Sequence, residues 1–427
     1  MIFIGNPPFQ SREKRGKTQH KIWIDFTKMV YSKMKEGDEL LWITPQSWGS
    51  PSNKVFKIFK ESEIEYINLD TGEYFPKVGS SFSDFLLSKG SNNTRETRII
   101  KDNKEIKLKI DNSLLYFPND VNLTSLSIHS KAMFSQKNKL PVCWDYVTCH
   151  NILLKRSDTL SKTKTKKHVY PVFHTNKQVW WSSVQQGFSN QKKVLWTRSG
   201  YTKPFYDAGK YGTTDMGYYV LCSSEAEGER VAKVLNSKLF QYIFTTAKWS
   251  GFGNEIVFTN LPDVRLLQGT SDSYIYQWFN LSKDEIKYIE NLPLSKKNNR
   301  VKNKIIKSKE RSDNFGEVFT PKEKVVMMLD SLDKERWSDK DIKFIDPACG
   351  NGNFLIEIVK RKIKNGSSKW QALSTTYGVD IMKDNVLECR ERLLKAAEAK
   401  EEKFRELVQK RIVCADTLTY DLEDLFK

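Results

Sequence analysis

The chain is poor in the residues that cross-link a fold or bind zinc. It contains six cysteines and five histidines in 427 residues, and no two cysteines form a Cys-x-x-Cys pair. This scarcity predicts neither a disulfide scaffold nor a metal site, and a reducing, cytoplasmic setting fits it best. No apolar run approaches the roughly 18 residues that a membrane span needs. The short apolar start at residues 1–5 has no signal-peptide pattern, so no membrane partner is expected.

Acidic residues are too few to balance the basic ones. The chain has 70 Lys and Arg residues against 52 Asp and Glu residues, which gives a formal net charge of +18. Because the excess is large and recurs in clusters, a polyanionic partner is expected; a solvated basic surface is the alternative explanation. Hydrophobic residues make up 39% of the chain, which is enough to form genuine cores.

Two parts of the chain alternate between strand-like and helix-like segments. One covers roughly the first ninety residues, and the other begins near residue 313. Such alternation predicts an α/β fold with a mostly parallel sheet. The part between them has short strand-like runs and a predicted helix over residues 225–239, which indicates a separate α+β domain. The predicted divisions are residues 1–125, 126–290, a basic linker at 291–312, and 313–427.

A glycine loop after a predicted strand is the most specific short motif. Its two glycines allow a ligand to approach the backbone closely, and the helix that follows presents its N-terminus to a carboxylate or phosphate. Any tight strand–helix turn also favours glycine, but this whole string is far more specific than a lone Gly-x-Gly. The loop consists of Asp346, Pro347, Ala348, Cys349, Gly350, Asn351, Gly352, Asn353 and Phe354.

Two further acidic residues follow predicted strands. Asp380 ends a strand about thirty residues after the glycine loop, where a carboxylate can accept both ribose hydroxyls of a nucleoside. Asp416 follows the next strand and can accept from the adenine amino group of a cofactor. A helix cap and an ordinary loop aspartate are the respective alternatives. With Ile381, these residues complete the predicted cofactor site.

The second specific motif is Asn6-Pro7-Pro8-Phe9, at the end of the first predicted strand. The prolines form a rigid turn, so the Pro7 carbonyl and the Asn6 side-chain oxygen can face one amino group. Two acceptors on one amino group draw its lone pair out of ring conjugation and prepare it for attack. Phe9 offers a face on which a base can stack. A plain turn is the alternative.

These motifs resemble those of the amino-methyltransferases, specifically the N6-adenine DNA methyltransferases of restriction–modification systems. The resemblance covers roughly residues 1–90 and 313–427. It implies S-adenosyl-L-methionine as cofactor and duplex DNA as partner. It also implies a Rossmann-like methyltransferase fold, with a seven-stranded, mostly parallel sheet assembled from both ends of the chain and an inserted α+β target-recognition domain.

The resemblance assigns roles to two further segments. Residues 315–321 resemble the family's motif X, which implies that Phe319, Thr320 and Pro321 contact the cofactor, with Thr320 the first choice. Residues 73–87 resemble motif VIII, in which an aromatic side chain packs on the target base. Phe75 is chosen for that role, and Tyr74 or Phe82 can replace it.

The order of the motifs departs from one common arrangement of the family. The catalytic loop that the resemblance implies, residues 6–9, comes first, the middle domain second and the cofactor half, residues 313–427, last. The C-terminal segment would lead naturally into a segment like the first six residues, so the sequence looks circularly permuted. Circular permutation is tolerated where termini are close and exposed.

The middle domain has the size and chemistry of a target-recognition domain. Phosphate contacts there would make DNA affinity depend on salt, and contacts with base edges would select the sequence. Each candidate residue also has a purely structural alternative role. The candidate DNA contacts are Lys155, Arg156, Lys164, Lys166, Arg198, Tyr201, Lys203 and Trp249.

The expected activity is site-specific methylation of adenine N6 in duplex DNA. The target base flips out, Phe9 and Phe75 enclose it, and Asn6 with the Pro7 carbonyl holds N6. Related alternatives are methylation of RNA bases, of a glutamine side chain or of cytosine N4, although relatives acting on N4 more often carry Ser in place of Asn6. A catalytically inactive DNA-recognition subunit and a fused restriction–methylation enzyme are further alternatives. Monomer and homodimer both stay open.

Overall fold

The structure is a computed structural model that divides into two compact units. Unit 1 comprises residues 1–48, 54–112 and 298–427, and unit 2 comprises residues 49–53 and 113–297. The domain boundaries expected after residues 125, 290 and 312 stay predictions, and most of the expected linker lies outside the described residues. The described residues are 1–9, 21–50, 53–75, 81–90, 96–110, 114–175, 178–198, 203–248, 255–291 and 318–426, with short strands at 14–15 and 18–19.

Strands and helices alternate at both ends of the chain. The strands are β1 (Ile2–Gly5), β2 (Lys14–Arg15), β3 (Thr18–Gln19), β4 (Glu39–Pro45), β5 (Ser62–Asn68), β6 (Phe82–Lys89), β7 (Thr97–Lys101), β8 (Lys104–Leu108), β9 (Leu160–Ser161), β10 (Tyr170–Thr175), β11 (Gln178–Ser182), β12 (Lys193–Thr197), β13 (Phe205–Asp207), β14 (Gly212–Thr213), β15 (Gly217–Leu221), β16 (Phe344–Asp346), β17 (Thr376–Asp380) and β18 (Ile412–Cys414). The helices are α1 (Ile22–Lys33), α2 (Lys54–Lys60), α3 (Leu123–His129), α4 (Leu153–Arg156), α5 (Glu225–Leu235), α6 (Lys238–Thr246), α7 (Glu255–Thr259), α8 (Asp272–Trp278), α9 (Lys283–Asn291), α10 (Lys322–Asp330), α11 (Glu335–Ser338), α12 (Asn353–Lys364), α13 (Lys369–Ser374), α14 (Lys383–Ala396) and α15 (Glu402–Arg411). Among the helices that the structure describes, none is both long and apolar enough to cross a bilayer.

Unit 1 is built around one large mixed sheet. In the described part of the chain, nine strands follow the order β18-β17-β16-β1-β4-β6-β5-β7-β8. The five strands from β18 to β4 are all parallel, and β6 runs antiparallel to both of its neighbours. Because parallel neighbours end at the same edge of a sheet, the residues that follow β1, β16, β17 and β18 meet there.

The sheet has two more strands than the seven that the resemblance implied. The extra pair is the antiparallel hairpin β7–β8 at the far edge. Its turn is made by Asp102 and Asn103, with φ angles of 51° and 58°. Asp and Asn tolerate this left-handed conformation, and two such residues form the tight turn that matches strand twist. The hairpin lies on the side of the sheet away from β16–β18.

Apolar side chains cover both faces of the central strands. Every residue of β1 is buried, and so are six consecutive residues of β4. A strand buried on both faces carries a continuous apolar run rather than an alternating one. The burial explains why these two segments could be recognised as strands from the sequence.

In its described residues, unit 2 contains two small sheets and a cluster of helices. Strands β14, β10, β11 and β9 form one sheet, and β13, β12 and β15 form the other. The helix predicted over residues 225–239 is in fact two helices, because α5 ends before Asn236 and α6 begins after Ser237. The Ser237 side chain accepts from the Phe240 backbone N–H and caps the second helix.

A buried ion pair joins the two ends of the chain within unit 1. Lys324, in the first turn of α10, places its Nζ 2.5 Å from Asp84 Oδ1 on β6, and both side chains are fully buried. The Thr71 hydroxyl donates to the same oxygen. Burial raises the pKa of Asp84, while the charge of Lys324 acts in the opposite direction. The pair positions α10 and the segment just before it against β6.

Breaking this pair on one side should destabilise the protein strongly. We expect Lys324→Met to lower the free energy of unfolding by about 3–5 kcal/mol, because a buried carboxylate then has no counter-charge. The double change Lys324→Met with Asp84→Leu should recover much of that loss. Urea unfolding followed by tryptophan fluorescence measures both effects.

The matched control is the exposed pair Lys57–Glu61, whose Nζ–Oε1 distance is 3.4 Å. Lys57→Met should change the free energy of unfolding by less than about 0.5 kcal/mol, since solvent already screens an exposed pair. Equal losses for the two single variants would contradict a special role for the buried pair.

Candidate active site

Asn6 follows β1 at the edge where the parallel strands end. Its Nδ2 donates to the Val318 carbonyl oxygen at 3.1 Å and to Thr320 Oγ1 at 3.2 Å. Its Oδ1 is buried and has no hydrogen-bond partner among the described residues. A buried acceptor without a donor is costly, so this oxygen marks a place where a ligand donor is expected.

Aromatic rings surround the rest of the loop. Phe9 is 8% exposed, and its ring centroid lies 4.7 Å from that of Phe82. Phe82 in turn lies 5.2 Å from Phe75, and both of these rings are only 1% exposed. Tyr74 is partly exposed, and Lys324 Nζ lies 5.3 Å from its ring centroid. The ring chosen from the sequence, Phe75, is therefore packed among aromatic side chains.

The glycine loop turns directly from β16 into α12. Gly350 and Gly352 have φ angles of 51° and 88°, and Gly352 is the residue before the helix. A Cβ on Gly352 would lie 2.5 Å from Cys389 Sγ, so only glycine combines this conformation with this packing. The Gly350 N–H donates to Asp380 Oδ2 at 2.9 Å. The loop and the end of β17 are thus tied together.

The segment 318–320 contacts both the catalytic loop and the glycine loop. Besides accepting from Asn6, Thr320 offers its carbonyl oxygen to Asn353 Nδ2 at 2.9 Å. The Phe319 ring lies 3.1 Å from the position of a Cβ on Gly350. Pro321 then stands immediately before α10, where it needs no backbone donor. The structure therefore places Thr320 against both loops and Phe319 against the glycine loop, with Pro321 next to them in the chain.

Asp346 ends β16 and is 1% exposed. Burial raises the pKa of its carboxyl to about 8; the Ala348 N–H, which donates to Oδ1 at 3.1 Å, lowers it, and the charge of Asp380 raises it. A Cβ on Gly5 would lie 2.8 Å from Asp346 Oδ1, so glycine at this position makes room for the carboxyl. A buried carboxyl beside the catalytic loop is suited to meet a cation.

The remaining predicted cofactor residues divide into buried and exposed groups. Cys349 and Phe354 are buried, and the Pro347 carbonyl accepts from the Thr417 hydroxyl at 2.5 Å, so these residues shape the loop from within. Ile381, after β17, is 54% exposed, which leaves an apolar side chain open at the strand edge. Asp416 is also exposed, and its Oδ1 accepts from the Leu418 N–H.

The basic candidates of unit 2 lie mostly on its surface. Lys155 and Arg156 are exposed on α4, and Lys164 and Lys166 are exposed in the loop between β9 and β10. Lys164 Nζ lies 5.2 Å from the ring centroid of Trp181, which is a cation–π distance. Four exposed basic residues thus lie within a dozen positions of one another.

The other DNA candidates differ in placement. Arg198 forms an ion pair with Glu255, and its side chain is 19% exposed. Lys203 is exposed. Tyr201 and Trp249 lie outside the described residues. The Arg198 guanidinium therefore already has an acidic partner within unit 2.

Two contributors to the site were missed in the sequence. Val318 acts through its backbone carbonyl, which leaves no trace in the residue type. Gly5 acts through its missing side chain, and the only available signal was a glycine at the end of an apolar strand directly before Asn6. Both contributions depend on contacts between segments that are far apart in the chain, namely Val318 with Asn6 and Gly5 with Asp346, and only the folded structure shows these contacts.

Comparison with known protein families finds a match in the C-terminal part of the chain. Residues 305–425 match the family model described as N-6 DNA Methylase. No curated protein matches the chain. Among solved structures, the chain is similar to the Type IIL restriction-modification enzyme MmeI in complex with DNA, at 10% identity and a TM-score of 0.34, over 55% of this chain and 42% of that chain.

Two further solved structures show similar levels of likeness. A nuclease-deletion mutant of the Type ISP restriction-modification enzyme LlaGI, in complex with a DNA substrate mimic, matches at 10% identity and a TM-score of 0.36, over 68% of this chain and 42% of that chain. The type IIG restriction endonuclease BpuSI matches at 12% identity and a TM-score of 0.24, over 65% of this chain and 44% of that chain. The chain spans less than half the length of each of these three proteins. The predicted resemblance to N-6 DNA methylases is confirmed for residues 305–425, which contain the glycine loop, Asp380 and Asp416.

Proposed function

We propose that the protein is a DNA methyltransferase that transfers a methyl group to adenine N6, with its motifs in circularly permuted order. The observation that carries the proposal is the buried Oδ1 of Asn6, just after β1, which has no hydrogen-bond partner among the residues that the structure describes. It lies in a loop connected through residues 318–320 to the glycine loop. An acceptor for an amino group and a candidate cofactor site are thus joined through one short segment.

The residues at the sheet edge fit S-adenosyl-L-methionine. The turn at Gly350 and Gly352 leads directly into the N-terminus of α12, Asp380 suits ribose hydroxyls, and Ile381 offers an exposed apolar side chain to adenine. Asp346 offers a buried carboxyl to the positive charge of the cofactor. When bound, the cofactor supplies a methyl group on a positively charged sulfur.

Asn6 and Pro7 prepare the adenine amino group. Asn6 Oδ1 and the Pro7 carbonyl each accept one N6 hydrogen, which localises the nitrogen lone pair and directs it outward. N6 is paired inside a duplex, so the base must leave the stack before these acceptors can reach it. The rigid prolines keep both acceptors in place without reorganisation during the reaction.

Aromatic side chains are proposed to hold the flipped base. Phe9 follows the two prolines and is the first face. Because Phe75 is only 1% exposed, it supports Phe9 through Phe82, and Tyr74 is the better candidate for the second face. Lys324, which packs over Tyr74, belongs to the helix that follows Thr320. Stacking between two rings offsets part of the cost of unstacking the base.

Unit 2 is proposed to bind the DNA backbone and to select the site. Its exposed lysines at 155, 164 and 166 and Arg156 supply positive charge without acidic partners in the described structure. Such residues give affinity that depends on salt and little on sequence. An inactive recognition subunit would have no need of the buried Asn6 acceptor, which favours the catalytic proposal.

Removing the Asn6 acceptor tests the activity itself. We expect Asn6→Ala to lower kcat at least about 100-fold, because only one of the two preorganised acceptors then remains. Its Kd for S-adenosyl-L-methionine should stay within about threefold of the wild-type value. The assay incubates protein, labelled cofactor and unmethylated DNA, then identifies the methylated nucleoside by mass spectrometry. Cofactor binding without any methylated deoxyadenosine in the wild-type reaction would refute the proposal.

We expect the Asp346 carboxyl to lower the stability of the folded protein at high pH but to strengthen cofactor binding. Its pKa in the folded protein, about 8, lies above the ordinary value of 3.8, so the folded state holds the proton more tightly. The stability that this provides is present below about pH 4 and is lost as pH rises towards 8. Asp346→Asn should therefore raise Tm relative to wild type more at pH 8.5 than at pH 5.

At pH 8.5, where the wild-type carboxyl is largely ionised, the same variant should bind S-adenosyl-L-methionine at least about 10-fold more weakly, because a neutral amide cannot pair with the cation. Thermal unfolding at the two pH values and calorimetric titration measure the two effects. The exposed Asp341→Asn is the control. A Tm offset that is the same at both pH values would rule out the assigned titration.

The basic surface of unit 2 makes a separate prediction about DNA. Lys164→Ala with Lys166→Ala should weaken duplex binding and reduce the slope of log Kd against log salt by about 1 for each phosphate that is no longer neutralised. The control is Lys395→Ala with Lys410→Ala, which removes two exposed lysines from α14 and α15 of unit 1. Fluorescence anisotropy over a salt series measures both. An equal change for both double variants would argue against a dedicated surface on unit 2.

A further inference from the structure

We propose that Thr320 is a positioning residue for the reaction, which orients Asn6 in addition to any contact that it makes with a cofactor. Together with the Val318 carbonyl, its hydroxyl holds the Asn6 amide so that Oδ1, and not Nδ2, faces the incoming amino group. The inference rests on the proposed function for its catalytic consequence. The contact itself is a property of the folded chain and can be tested without any reaction.

The Val318 carbonyl determines which end of the Asn6 side-chain amide is the nitrogen and which is the oxygen. The two ends of an asparagine side chain have nearly the same shape, so their assignment depends on the hydrogen-bond partners. A backbone carbonyl can only accept, and the amide atom 3.1 Å from it is therefore the nitrogen. The opposite orientation would place two oxygens in contact and would present a donor to the substrate amino group.

Thr320 uses the second hydrogen of the same nitrogen. Its Oγ1 lies 3.2 Å from Asn6 Nδ2, and the residue is 4% exposed. With both hydrogens satisfied, the amide cannot turn without breaking two bonds at once. This explains how Oδ1 is kept buried with no hydrogen-bond partner in the described part of the chain, at a cost that a lone side chain would avoid by rotating to a donor.

Thr320 is itself held from two sides. Its carbonyl accepts from Asn353, the first residue of α12, at 2.9 Å. Four residues later, Lys324 anchors α10 through its buried pair with Asp84. The position of α12 therefore helps to fix the position of Thr320, and Thr320 in turn fixes the orientation of the Asn6 side-chain amide. A cofactor contact alone would not require its hydroxyl to accept from Asn6.

The kinetic test separates positioning from cofactor binding. In the intact chain, Thr320→Val should lower kcat at saturating S-adenosyl-L-methionine and DNA about 10- to 100-fold, while KM for the cofactor stays within about threefold. Thr320→Ser keeps the oxygen and should stay within about threefold of wild type, and Thr320→Cys should fall between them. The matched control is Thr376→Val, a buried threonine at the start of β17 whose hydroxyl donates to the Ala372 carbonyl.

A second measurement needs neither cofactor nor DNA. Protein labelled with 15N at asparagine reports side-chain NH2 exchange, and the Asn6 signal is identified by its loss in Asn6→Asp. We expect its hydrogens to exchange at least about 10-fold faster in Thr320→Val than in wild type or Thr320→Ser, because a hydrogen bond protects an amide hydrogen from exchange. Near-UV circular dichroism checks folding. If Thr320→Val does not fold, the ranking of Thr320→Ser above Thr320→Cys decides the question.

The outcomes distinguish this inference from the proposed function. A raised KM with unchanged kcat in Thr320→Val would make Thr320 a cofactor contact alone and would overturn the inference. Unchanged Asn6 exchange in that variant would overturn it as well. Faster exchange in Thr320→Val, combined with a wild type that methylates no base, would support the contact and refute the proposed function.

Discussion

The parallel pairing of β1 with β16 is the constraint on which the whole site depends. It aligns Ile2 with Phe344 and Phe3 with Ile345, so the ends of two segments that are far apart in the chain meet at one sheet edge. Gly5, the residue before Asn6, lies against Asp346 only because of this register. A slip of one residue would turn every side chain of β1 to the opposite face and separate the catalytic loop from residues 318–320.

The site keeps two polar groups in positions that cost stability. Asn6 Oδ1 is buried without a donor among the described residues, and Asp346 is a buried carboxyl whose pKa is raised because burial disfavours its charged form. Neither group would persist unless the surrounding fold constrained it, since rotation or exposure would relieve it. Gly5 makes room for the carboxyl and Thr320 restrains the amide, so the scaffold offsets the cost at the two places where ligand groups are proposed to bind.

Unit 2 separates its core from its exposed basic residues. Its core is a cluster of aromatic and aliphatic side chains that includes residues of α5 to α9, β12 and β15. Its basic candidates Lys155, Arg156, Lys164 and Lys166 lie on α4 and in the loop between β9 and β10. Placing charged residues on loops leaves the core unaffected when those residues change. A separate unit of this kind can change its surface residues while the fold of unit 1 stays the same.

The sequence by itself determined most strands of the large sheet, though not the β7–β8 hairpin, and the two loops with most of their residues, because apolar runs and rigid turns are local properties of the chain. Asn6 and the glycine loop could be named from these local patterns, and Thr320 from the resemblance of residues 315–321 to motif X. Only the tertiary structure decided that Thr320 contacts Asn6, 314 residues away, and that Phe75 is packed out of reach of solvent. It also revealed the Val318 carbonyl and the missing side chain of Gly5. Contacts of these kinds depend on strand order and register, which no local pattern encodes.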